Sequence, residues 1–179
     1  MSGASGRRLR VVAVCMGNIC RSPTAEAVLR ARLAEAGLAD LVEVDSAGTY
    51  GGHEGAPPDR RAQEAARRRG YDLSRQRSRA LRASDADADL LLVMDRANLR
   101  ASRRIVGEGA ALHLYMGGGR AGGGEVPDPY YGGEDGFDMV LDLIEEGAEA
   151  WLDRIRERLV AAGHTAAGHT KAPPGGSGT

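Results

Sequence analysis

The 179-residue chain contains two cysteines, Cys15 and Cys20, close together in the stretch CMGNICRSP, with Arg21 directly after the second. Thiols so placed serve a disulfide, a metal site, or a nucleophile beside an anion clamp. A zinc site needs further ligands, and none of His53, His113, His164 or His169 lies at ligand spacing from the thiols. Two cysteines and no export-type leader point to a reducing, cytoplasmic setting, where a close thiol pair is catalytic, redox-active or metal-binding more often than structural. The nucleophile reading uses the whole string. Gly17 and Asn18 tolerate left-handed backbone, so the loop from Met16 through Ile19 and Cys20 can turn amide N–H groups inward as an anion nest. A helix beginning directly after it adds its dipole, and Arg21 adds a planar fork for two phosphate oxygens. The same field favours the thiolate of Cys15. A soft nucleophile under a bound phosphate suits in-line phosphoryl transfer.

A phenolate leaving group also needs a proton. Asp128, in EVPDPYYGG, sits between Pro127 and Pro129, which stiffen the backbone on either side of the carboxyl. Tyr130 and Tyr131 follow, apolar enough to line a pocket for an aromatic substrate. Alone, DPYYGG reads as a surface turn and the Cys–Arg spacing as chance. Together they read as a nucleophile and its acid.

These groups need a frame, and the chain alternates strand with helix. LRVVAVC (Leu9 to Cys15) reads as a buried strand. A helix follows, with Ser22 as a cap, Pro23 at its first position, an apolar stripe of Ala25, Val28, Leu29, Leu33 and Ala36, and Gly37 past its end. LVEVDSAGT (Leu41 to Thr49), ADLLLVMD (Ala88 to Asp95) and ALHLYM (Ala111 to Met116) are further strands. Helices are expected over Pro57 to Gly70, around Ala97 to Val106, and from Phe137 on, where Val140, Leu141, Ile144, Leu152, Ile155 and Leu159 recur at helical spacing. The glycine run Gly117 to Gly124 reads as surface loop. This alternation gives a single α/β domain: a four-stranded parallel sheet with helices on both faces, its ligand at the carboxyl ends of the strands, where Cys15 falls. Residues 1–8 are expected as a flexible N-terminus, 9–161 as the domain, and 162–179, short of large apolar residues, as a disordered tail.

With 42% hydrophobic and 27% charged residues, one core of ordinary size is expected. A net charge of -1 demands neither nucleic acid nor membrane, and no segment is apolar enough to span one. Nine arginines between Arg60 and Arg82 read as a solvated helix face opposite an acidic C-terminal region, because a nucleic-acid patch would interleave aromatics and only Tyr71 is there.

VCMGNICRSPTAEA and DPYYGG together closely resemble the low-molecular-weight protein tyrosine phosphatases of bacterial type. VDSAGT (Val44 to Thr49), GAPPDRRA (Gly55 to Ala62) and MDRANLR (Met94 to Arg100) resemble that family's intermediate motifs in order, so the likeness runs from about Leu9 to Leu159. The resemblance implies a metal-free, cofactor-free mechanism on tyrosine-phosphorylated proteins: Cys15 forms a cysteinyl phosphate, Arg21 and the loop amides hold the oxygens, and Asp128 acts as acid and then base. It implies that Ser22 hydrogen-bonds the thiolate, which competes with its capping role. It also implies that Asn18, Ser46 and Asp95 steady the loop, against a reading as ordinary turn and strand-end polar groups. Cys20 resembles the family's second loop thiol, a redox partner for the nucleophile; a small buried residue is the other reading. Gly52 stands where many members carry tryptophan, so either Tyr50 swings in to supply the missing wall or the pocket mouth is wider, and Ile19 matches the tyrosine-specific form. An arsenate reductase of the same fold would need a further thiol, and none follows Cys20. A phosphotyrosine-binding module would need neither Cys15 nor Asp128. The expected enzyme is a monomer without nucleic-acid or membrane partners.

Overall fold

In the computed structural model, which describes residues 6–118 and 123–164, the run Leu9–Cys15 forms strand β1, with Val11 to Cys15 wholly buried. Its β-branched residues suit a strand packed on both faces. β2 (Val42–Gly48), β3 (Leu90–Val93) and β4 (Leu112–Leu114) complete one sheet in the order β2-β1-β3-β4. All neighbours are parallel: Cys15 pairs with Gly48, Val14 with Val93, and Leu92 with His113. β4, expected over six positions, keeps only three paired residues at the sheet edge.

Helices α1 (Arg21–Glu35), α2 (Arg60–Arg68), α3 (Arg96–Val106) and α4 (Asp135–Ala161) connect and cover the strands. Alternate residues of β1 feed two cores. Val11 and Ala13 join Val28, Leu29, Leu33, Ala65, Ile144 and Ile155 beneath α1, α2 and α4. Val12 and Val14 join Leu91, Val93 and Val106 on the α3 side, with Leu99 and Ile105 packed against them. The scarce aromatics pin α4: Tyr115 Oη donates to Ile144 O at 2.6 Å, and Trp151 Nε1 donates to Tyr115 O at 2.7 Å.

Helix starts differ from expectation: α2 begins at Arg60 rather than Pro57, after the Asp59 cap, and α4 begins at Asp135, two residues before Phe137. α1 begins at Arg21 with Cys20 as its N-cap and no side-chain cap, so Ser22 lies inside the helix and Pro23 is its third residue. The Ser22 hydroxyl is engaged elsewhere. α3 is capped by Asp95, whose Oδ1 accepts from Asn98 N at 2.7 Å. Gly37 ends α1 with φ 72° as expected. The expected tail splits: Gly163 (φ 83°) and His164 close α4, with His164 N donating to Leu159 O at 2.8 Å, while 165–179, like 1–5, lie outside the described residues. Of the glycine run, 119–122 also lie outside them. Among the described residues, no helix is long and apolar enough to cross a membrane.

Candidate active site

β1 ends at Cys15 and α1 begins at Arg21, so five residues turn the chain around one point at the carboxyl edge of the sheet. Asn18 makes the turn in left-handed backbone, φ 54°, the one such non-glycine among the described residues. Gly17, expected to share that conformation, does not; it leaves space instead, since a Cβ there would sit 3.1 Å from His53 Cδ2. Gly48 matters for the same reason, because a Cβ there would stand 2.7 Å from Met16 O. The loop lies directly on the end of β2, with Thr49 N and Tyr50 N donating to Cys15 O and Met16 O at 3.0 and 2.9 Å.

Asn18 is the hub. Its Nδ2 donates to Ser22 Oγ at 2.8 Å and Ser46 Oγ at 3.0 Å, and its Oδ1 accepts from Arg79 N at 3.0 Å. Ser22 Oγ accepts from Asn18, so its own proton can go to Cys15 Sγ, 3.0 Å away, or to Ala47 O at 3.5 Å. Asn18 N also points at that sulfur, at 3.3 Å. Both donors are placed to stabilise negative charge on Sγ, and the two readings of Ser22 resolve in favour of the thiol contact.

Arg21 is buried with one nitrogen committed to the frame: Nη1 donates to Asp95 Oδ2 at 2.6 Å and to Val126 O at 2.9 Å. Its Nη2 lies 3.6 Å from Asp128 Oδ2. Asp95 thus does two jobs, one oxygen capping α3 and the other holding the guanidinium. Asp128 Oδ1 accepts from Tyr130 N at 3.1 Å, which turns Oδ2 inward. Cys15, Met16, Gly17, Ile19, Cys20, Arg21 and Asp128 line one cleft of about 290 Å³, walled by Tyr50, His53, Tyr130 and Tyr131. The sequence-expected residues therefore converge, with Asn18, Ser22, Ser46 and Asp95 behind the wall rather than in it.

Tyr50 answers the question Gly52 raised. A Cβ on Gly52 would collide with the Tyr50 ring, so glycine there lets Tyr50 lie across the site, edge-on to His53 with centroids 5.9 Å apart. Cys20 is a free, buried thiol like Cys15. Burial first, then the negative charges of Asp59, Cys15 and Asp128, push its pKa up against the pull of Arg61, which keeps it protonated. Sequence reasoning missed four contributors. Ser78 Oγ donates to Gly17 O at 3.0 Å, the Arg79 amide fixes Asn18, Asp59 N donates to Ile19 O at 2.7 Å, and Arg61 contacts the acid segment. Only their place within or just after GAPPDRRA hinted at a role for Asp59 and Arg61; Ser78 and Arg79 gave no signal. Among the described residues, no three His, Cys, Asp or Glu side chains are grouped to hold a metal.

The family model "Low molecular weight phosphotyrosine protein phosphatase" matches residues 10–161. The chain belongs to this family. The phosphatase is similar to the low molecular weight protein-tyrosine-phosphatase of Streptomyces coelicolor, 42% identical over 156 residues covering 84% of this chain and 95% of that protein. Its fold is similar to two crystal structures, each 34% identical with a TM-score of 0.78: YfkJ from Bacillus subtilis, covering 87% of this chain and 99% of that one, and a protein tyrosine phosphatase from Entamoeba histolytica, covering 84% and 98%. It is a phosphatase enzyme of the protein-tyrosine class, its four-stranded sheet the family's.

Proposed function

We propose that this phosphatase hydrolyses phosphotyrosine in proteins, and small aryl phosphates, with Cys15, Arg21 and Asp128 as its catalytic residues. Cys15 Sγ attacks phosphorus in line with the phenolic oxygen. Arg21 Nη2 and the loop amides other than that of Asn18, which faces Sγ, take the equatorial oxygens, whose negative charge they stabilise in the transition state. Asp128 gives its proton to the departing oxygen, and the tyrosine leaves. Water then attacks the cysteinyl phosphate while Asp128 takes back the proton, and phosphate and free thiolate result.

The observation that supports this most is the convergence of three side chains from separate elements on one cleft, with Asp128 Oδ2 3.6 Å from Arg21 Nη2. The cleft mouth fits the substrate class: Met16, Tyr50, Tyr130 and Tyr131 are exposed apolar residues around it, suited to an aryl ring and the flanking peptide. The arginine-rich stretch does not read as a nucleic-acid surface, since Arg68 and Arg69 pair with Asp138, Asp142 and Glu145 of α4. We propose the cytoplasm as its compartment, on the close pair of free thiols at the site, and a monomer as its working form.

The test is turnover of p-nitrophenyl phosphate in EDTA. The wild type works, with a bell-shaped pH profile, and Cys15→Ser loses on the order of 10⁴-fold or more. Rapid quenching of the wild type traps phosphate on Cys15 by mass spectrometry. Full turnover by Cys15→Ser overturns the covalent route.

A further inference from the structure

The geometry points to Arg61 as a positioning residue for the acid, the central link of a strut that spaces the Asp128 segment from the nucleophile loop. This deepens the reading of Asp128 as proton donor and rests on it.

The strut begins on the nucleophile loop, where Asp59 N donates to Ile19 O at 2.7 Å. Asp59 then grips Arg61. Its Oδ1 accepts from Arg61 N at 2.8 Å and from Nε at 3.1 Å, and its Oδ2 accepts from Nη2 at 3.1 Å. Two parallel N–H···O bonds fix the plane of the guanidinium. Burial works against ionisation of Asp59, but the bonds to Arg61 outweigh it and hold the carboxyl below its ordinary range. From that fixed plane, Nη2 donates to Tyr130 O at 3.0 Å. The guanidinium carbon lies 5.6 Å from the centroid of the Tyr130 ring and 4.8 Å from that of Phe137, so it bridges the acid segment and the first turn of α4. Tyr130 N in turn holds Asp128 Oδ1 at 3.1 Å. Ile19, Asp59, Arg61, Tyr130 and Asp128 form a chain in which every link is a hydrogen bond, running from the phosphate cradle to the proton donor.

Stability alone gives a weak reason for this arrangement. The Arg61 side chain is 37% exposed, and ion pairs so placed add little to folding. Position gives a strong one, because an ångström of misplacement at a catalytic group costs about 10²-fold in rate. Lysine offers neither fork nor plane and would hold Tyr130 by a single mobile point.

The test separates position from bulk structure by leaving group. Phenolate departs poorly without a proton, whereas p-nitrophenolate departs with less help. For Arg61→Ala, kcat/KM on phenyl phosphate falls about 10- to 100-fold, and the fall exceeds that on p-nitrophenyl phosphate by about tenfold. Arg61→Lys falls with it, both variants keep the wild-type circular dichroism, and Arg61→Ala has no further effect in an Asp128→Ala background. Equal losses on both esters, losses additive with Asp128→Ala, or full recovery in Arg61→Lys would overturn the strut while leaving Asp128 as the acid. If Asp128→Ala itself shows no leaving-group dependence, the assignment of the acid fails, and the strut with it.

Discussion

In the loop from Cys15 to Arg21, Asn18 and Arg21 are almost wholly buried and their side chains make five hydrogen-bond contacts to the frame; in the segment from Glu125 to Gly133, Asp128 is one-third exposed and its carboxylate makes one local bond. The cradle must present donors to charge that develops late, and donors free to move would spend the reaction energy reorganising. As the proposed acid, Asp128 has to reach the leaving oxygen of a substrate that arrives from solvent, and it stands at the mouth. It is tethered at its ends instead: Val126 N donates to Met94 O at 2.8 Å, Glu125 Oε2 accepts from Arg96 N at 2.6 Å, and Arg61 holds Tyr130 O. A rigid cradle and a tethered acid divide the work between burial and bracing.

Arg21→Lys strikes the cradle hardest. It loses the fork proposed to bind phosphate, and with it the simultaneous hold of Nη1 on Asp95 and Val126 while Nη2 faces the cleft. A drop in kcat on p-nitrophenyl phosphate of about 10³-fold is expected. A loss under about tenfold would mean that charge alone serves there, and the contrast between the two loops would lose its basis.

The contrast sharpens when stability is read beside activity. Asn18→Ala removes three hydrogen bonds and keeps a Cβ in left-handed backbone, so unfolding by urea should show a loss of about 2–4 kcal/mol, with turnover down about tenfold or more. Asn18→Gly removes the same bonds while relieving the backbone, and should be the more stable of the two by about 1 kcal/mol. Asp128→Ala should do the reverse of Asn18→Ala: activity falls about 10²-fold and stability moves by no more than about 0.5 kcal/mol. Equal stability losses in the two loops would contradict the division of labour.

The sequence made the cradle legible and the bracing mostly illegible, for a physical reason. Cys15, Asn18, Arg21 and Ser22 act within one turn of chain, so their types and spacing carry the chemistry, and β1 and α1 appear as local patterns on either side. Ser46 and Asp95 stand out only through family-like motifs; Ser46 lies inside β2, opposite Ala13, and Asp95 caps α3. Ser78 and Arg79 reach the loop from 61 positions away, by way of a short pairing of Gly48 with Ala80 beside β2, and nothing in LSRQRSRAL distinguishes them from solvent-facing residues. Part of the Arg79 contribution is a backbone amide, which residue type cannot signal. The two readings of Ser22 stay open in the sequence for a related cause: a serine before proline suits a helix cap, and only the distance to Sγ shows that the hydroxyl has another partner.

The smallest effect lies behind the cradle. Glu26, on α1, is buried against Asp45, with Arg30 at 3.6 Å and Arg79 beyond, and Arg79 is the residue whose amide fixes Asn18. Burial raises its pKa from the ordinary 4.5 to about 7; Asp45 adds to the rise, and Arg30 and Arg79 oppose it. The folded state therefore holds a proton that the unfolded chain releases. The stabilisation is complete below about pH 4.5 and is lost as pH rises toward 7. Glu26→Gln keeps the shape of the protonated side chain and cannot ionise. Urea midpoints measured at about pH 5 and about pH 8 should show wild type and variant within about 1 kcal/mol at the lower value, with the variant ahead by on the order of 3 kcal/mol at the higher. Turnover at the lower pH should change less than about twofold, since Glu26 is not among the residues that line the cleft. A wild-type pH slope that persists unchanged in Glu26→Gln would remove the frame behind the nucleophile loop as the place where stability titrates. A slope that vanishes would show that the frame behind the nucleophile loop carries a pH cost through Glu26.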